Sequence, residues 1–71
     1  MDKNRWIGKR IYVVLKNKRN YSGEVLEVEG REEPYLFTIK DKFGKYVSFI
    51  SSEIEVIQEE EWLFIVSVEK N

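Results

Sequence analysis

The chain has 71 residues with no Cys and no His, which limits it to one domain (residues 1–71) and excludes disulfides, cysteine-based zinc sites, a thiol nucleophile and the commonest general base. Its net charge is −1, but residues 1–23 carry seven Lys/Arg against one Asp, +6, and residues 24–71 carry five against twelve Asp/Glu, −7. Such asymmetry marks either a nucleic-acid surface or two faces that pair head to tail between subunits, and a pI near 5.5 lends no support to strong phosphate binding.

Folds of this size bury only about 60% of the surface that their unfolded chain exposes, so oligomerisation is an expected source of stability. Residues 1–9 are the one helix candidate outside the C-terminal run, and they are short for a stable helix. Residues 10–16 alternate as a strand, with Ile11, Val13 and Leu15 on one face and Tyr12 and Val14 on the other. Asn17-Lys18 reads as a tight turn. Residues 20–29 form a second strand with Gly23 inside it, where a glycine marks a bulge or bend. Beyond it, alternation places Leu26 and Val28 on one face, and Val25 on the opposite face with Glu27 and Glu29.

Pro34 closes a charged loop and belongs at a strand start. Residues 35–41 follow, with Tyr35, Phe37 and Ile39 on a shared face. Residues 41–44 form a hairpin turn in which Gly44 supplies the permissive backbone. A fourth strand covers residues 45–50, Ser51-Ser52 makes a short corner, and a fifth covers residues 53–58 with Ile54 and Val56 inward. Residues 61–68 form a further apolar run. Its β-branched Ile65, Val66 and Val68 favour a sixth strand, whose two apolar faces would both need covering. The pattern predicts an all-β, small, strongly bent, antiparallel barrel of five strands with an extra C-terminal strand.

At this point the residues resemble the Sm-like (LSm) family. Trp6-Ile7-Gly8-Lys9-Arg10-Ile11 is similar to the family's opening, hydrophobic-Gly-Lys-x-hydrophobic. Residues 15–23, Leu-Lys-Asn-Lys-Arg-Asn-Tyr-Ser-Gly, resemble its Leu-Lys-Asp-Gly-Arg-x-Tyr/Phe-x-Gly segment. Gly44-Lys45-Tyr46-Val47, followed by Phe49-Ile50-Ser51-Ser52-Glu53-Ile54, resembles its second motif. The resemblance implies an SH3-type barrel that assembles into rings through its fourth and fifth strands. It also implies binding of uridine-rich single-stranded RNA around the central pore. In such a pocket Arg31 takes the stacking position, Glu33 stands where the family has Asn, and Ile50-Ser51 stands where it has Arg-Gly.

The candidate RNA contacts are therefore Arg31, Lys16, Lys18, Arg19 and Tyr21: a guanidinium or phenol ring stacks on bases and the cations meet phosphates. The candidate oligomer contacts are Tyr46, Phe49, Ile54, Trp62 and Phe64. No catalytic constellation, phosphate loop, cofactor motif or metal-ligand spacing is visible, so a non-enzyme without cofactors is expected. No apolar run approaches the roughly 18 residues of a membrane span, and no signal-peptide core follows the charged start, so a cytoplasmic location away from membranes is expected. Three functions stay open: a ring-forming RNA binder, a protein–protein assembly scaffold that lacks the RNA pocket, and a small barrel that binds DNA.

Overall fold

The computed structural model describes residues 2–60. Five antiparallel strands form a single sheet: β1 (Arg10–Leu15), β2 (Asn20–Glu29), β3 (Leu36–Lys40), β4 (Tyr46–Ile50) and β5 (Ile54–Glu59). Their spatial order is β4-β3-β2-β1-β5, so β4 and β5 are the two edges. Only a 3-10 turn, Ser51–Glu53, separates these edges in the chain. Strands lie about 4.8 Å apart, so the edges of a flat five-stranded sheet would stand about 19 Å apart. Three residues in 3-10 geometry rise about 6 Å. The sheet therefore has to curl.

Two hydrogen-bonded contacts show the curl directly. The Lys16 amide, in the turn before β2, donates to the Glu53 carbonyl at 2.8 Å, and the Ser51 amide donates to the Tyr35 carbonyl, after β2, at 2.8 Å. A straight ten-residue strand would hold its ends about 30 Å apart. Here segments beyond both ends of β2 reach the same three-residue turn, so β2 bends. Gly23 lies within this bend. A Cβ there would stand 2.5 Å from the Lys40 carbonyl oxygen and 3.2 Å from the Asp41 nitrogen. Only a residue without a side chain lets the end of β3 pass so close. No ladder joins β4 to β5 among the described residues, so the sheet is curled but open.

The core is Trp6, Ile11, Val13, Leu15, Val25, Val28, Tyr35, Phe37, Ile39 and Phe49, with Tyr21, Val47, Ile54 and Ile57 packed against it. Among the described residues no polar side chain is buried in it. The inner faces expected for β1 and β3 are the ones observed. Two other expectations fail for one shared reason. In β2, Val25 pairs with Ile39 and Glu27 with Thr38, which leaves Leu26 as an extra residue. This bulge reverses the parity: Val25 and Val28 enter the core and Leu26 turns outward. In β5, Val56 pairs with Val14 and Ile54 with Leu15, which leaves Glu55 extra. Ile54 and Ile57 face the core and Val56 is exposed, contrary to the alternating pattern.

The N-terminal segment contributes a 3-10 turn, Lys3–Arg5, in place of a longer helix. The Asp2 carboxylate caps it by accepting from the Asn4 amide at 3.0 Å. Trp6 then enters the core, while Gly8 and Lys9 extend the pairing along β2 through two 2.8 Å bonds with Val25. The expected sixth strand and the residues Trp62 and Phe64 lie outside the described residues.

Candidate functional site

The β1–β2 turn carries three of the expected RNA contacts, Lys16, Lys18 and Arg19, all exposed. Its shape follows from two backbone bonds, Lys18 amide to Leu15 carbonyl at 2.9 Å and Leu15 amide to Arg19 carbonyl at 2.8 Å. Such a loop ends in a residue with left-handed backbone, and Lys18 takes that position with φ 75°. The Asn17 side-chain oxygen braces it by accepting from the Arg19 amide at 2.9 Å. The Lys18 ammonium reaches Glu55 of β5 at 3.3 Å, so one of the three cations is already matched by a carboxylate. Tyr21 is opposite Val13 and packs against the core, so its ring is committed to the interior more than to a base.

Arg31 sits exposed on the loop between β2 and β3. That loop is held at its base by Lys3, whose ammonium donates to the Gly30 carbonyl at 2.6 Å, and at its end by Ser51, whose hydroxyl accepts from the Tyr35 amide at 2.8 Å. The second contact brings the loop to the β4–β5 corner. A groove of about 420 Å³ opens there, lined by Glu33, Pro34, Ser51, Ser52, Ile54 and Ile57. The curl thus brings together the two segments that the resemblance assigns to a base pocket. Their chemistry is different from such a pocket: Glu33 adds a negative charge, Pro34, Ile54 and Ile57 are apolar, and the other two lining residues are serines.

The expected oligomer contacts divide. Tyr46 lies on edge strand β4 and is 67% exposed. Ile54 starts edge strand β5 and is half-buried against the core. Phe49 is a core residue: it is 3% exposed and stacks on Phe37, ring centroids 5.4 Å apart and 11° from parallel. An inward position on β4 opposite Phe37 takes it out of reach of a partner. The edges instead offer Ile50 and Val56, which are 40% and 45% exposed.

The sequence pattern placed the other hairpin turn at residues 41–44 but named no candidate contact there. Phe43, in the β3–β4 turn, is the most exposed large apolar residue described, at 77%, with Tyr46 next. The signal was present in the sequence as an aromatic residue within a lysine-containing glycine turn, Lys42-Phe43-Gly44-Lys45. Among the described residues, no group of three or more carboxylates is placed to hold a metal ion, and no helix is long and apolar enough to cross a membrane. Comparison with protein-family models, with curated proteins and with solved structures found no match to this chain.

Proposed function

We propose that this chain is a Sm-like assembly module whose copies join edge to edge, β4 of one against β5 of the next. The observation that carries this reading is that, among the described residues, β4 and β5 have a partner strand on one side only and stand at opposite ends of one curled sheet. An edge strand presents a row of backbone donors and acceptors, and a soluble protein either blunts it or uses it. These edges bear apolar side chains, Tyr46 and Ile50 on β4 and Val56 on β5. Two different surfaces that pair in this way make a heterologous contact, which closes into a ring when the rotation per copy allows.

The two glycine positions of the resembling segment also support a Sm-like reading. Lys18 stands where that segment has its first glycine, and it holds the positive φ that glycine favours. Gly23 stands at the second, where a side chain has no room. Sedimentation velocity and native mass spectrometry test the proposal. A closed oligomer is expected, with Ile50→Lys and Val56→Lys each shifting it toward monomer. A wild-type chain that stays monomeric at high micromolar concentration would sink it.

A second reading, RNA contact at the β4–β5 corner, draws on exposed cations in the two segments that reach it, Lys16 and Arg19 in the β1–β2 turn and Arg31 in the β2–β3 loop. So few phosphate contacts give weak, salt-sensitive binding. Titration of oligo-uridine at two salt concentrations distinguishes the readings. Loss of affinity in Arg31→Ala favours this one, and unchanged affinity removes the loop from the site.

A further inference from the structure

We propose that the tip of the β3–β4 hairpin binds single-stranded nucleic acid, with Phe43 and Tyr46 as stacking platforms and Lys40, Lys42 and Lys45 as phosphate contacts. This surface is separate from the groove and from the β1–β2 turn, and it does not depend on ring formation.

The turn itself needs neither ring. Its shape comes from Asp41, whose side-chain oxygen accepts from the Phe43 amide at 2.9 Å and the Lys45 amide at 2.8 Å, and from Gly44, whose φ is 83°. The Gly44 amide closes the turn on the Asp41 carbonyl at 3.0 Å. Any side chain would serve at position 43 for this purpose, yet the residue there is a phenylalanine left 77% exposed. Tyr46 faces outward from β4, opposite Lys40, and is 67% exposed. Singly scattered apolar residues on a surface need no explanation, but here two exposed rings lie three residues apart on one hairpin.

The charges converge on the same place. The Lys42 ammonium is 5.2 Å from the centre of the Phe43 ring, and the Lys40 ammonium 6.0 Å from that of Tyr46. The stem of Lys40 also lies along the turn, since its Cε is 4.0 Å from where a Gly44 Cβ would stand. Lys45 completes the set. Among the described residues, none of the three ion pairs involves these lysines. The nearest acidic group in sequence, Asp41, already accepts two backbone bonds. Glu24 is the cross-strand neighbour of Lys40 and bounds the patch on the β2 side.

Rings beside ammonium groups match the chemistry of an unpaired strand, whose bases offer flat faces and whose backbone offers phosphates. Every base has such a face, and neither ring nor lysine reads a 2′-hydroxyl, so DNA and RNA are expected to bind alike with little sequence preference. A bilayer fits less well. Only Phe43 sits at the tip, Tyr46 is set back on the strand beside a lysine, and one apolar anchor gives a marginal membrane contact.

Fluorescence anisotropy with labelled oligo-deoxythymidine and oligo-uridine of about 12 nucleotides tests the site. Wild-type protein is expected to bind both, more tightly at about 50 mM than at about 200 mM salt. Phe43→Ala and Phe43→Leu are each expected to weaken binding by about fivefold or more, while Phe43→Trp retains it. Lys42→Ala is expected to flatten the salt dependence by somewhat less than one unit of log–log slope. Arg5→Ala, which removes an exposed cation from the N-terminal 3-10 turn, leaves affinity within about twofold. Circular dichroism confirms that each variant is folded. Undetectable binding at low salt, or full affinity in Phe43→Leu, would overturn the proposal. So would binding to anionic phosphatidylserine vesicles with none to either oligonucleotide.

Discussion

The β1–β2 and β3–β4 hairpins turn on the same backbone loop made from different residues. In each, the fourth residue's amide bonds back to the first residue's carbonyl, the first and fifth pair, and the fourth holds a positive φ: 75° at Lys18 and 83° at Gly44. Each is braced by a short amide or acid side chain, Asn17 or Asp41. The differences lie in what the loops present. The first has a lysine in a strained position, tied by its ammonium to Glu55 of β5. The second has an unstrained glycine, and so can present Phe43 and its lysines without any cost in backbone strain. Loop shape is thus set by hydrogen bonding, and the chemistry at the tip is an independent choice.

The largest expected effect separates the two phenylalanines of the second hairpin. Phe49→Ala removes a ring stacked in the core and should cost about 3–5 kcal/mol, enough to leave much of so small a domain unfolded. Phe43→Ala should change stability by less than about 0.5 kcal/mol. Urea denaturation followed by circular dichroism measures both. Comparable losses would mean that the tip helps hold the fold together and is not merely presented by it.

Gly23→Ala comes next. Its methyl group would collide with the carbonyl of Lys40, the residue that leads into the second tip. A loss of about 3 kcal/mol is expected. Amide exchange should show that protection is lost around residues 40–45 before it is lost around residues 15–19. Equal protection in both loops would show that the close approach at Gly23 is relieved elsewhere.

Exchanging the glycine between the loops gives the smallest effects, with opposite signs. Gly44→Ala places a Cβ in a left-handed position and should cost about 1 kcal/mol. Lys18→Gly relieves the same strain and should gain about 0.5–1 kcal/mol, less a small loss from the exposed Glu55 pair. Midpoints of urea unfolding report both. A destabilised Lys18→Gly would mean that the link from Lys18 to β5 outweighs backbone strain.

Much of this fold could be read from residues alone. Alternation placed all five strands to within a residue or two, and Gly23, Gly44 and Asn17-Lys18 marked the bend and the turns. The candidate site was less legible. Lys16, Lys18, Arg19 and Arg31 do lie on exposed turns, but their sequence neighbours did not reveal that Lys18 reaches Glu55 across the sheet or that Tyr21 packs inward. Phe49 was expected at an oligomer contact because one strand's pattern does not say which of its faces meets the core.

What the sequence determined by itself is local: backbone preference, turn chemistry and the two-residue period, each set by a residue and its immediate neighbours. The tertiary structure decided the inner faces of β2 and β5. An extra residue at Leu26 and another at Glu55 reverse the side-chain order, and a bulge is defined only against the partner strand. Tertiary contact also decided which aromatic residues are enclosed. Phe49 has Phe37 opposite it, whereas Phe43 lies in a turn beyond the last paired residues of its hairpin.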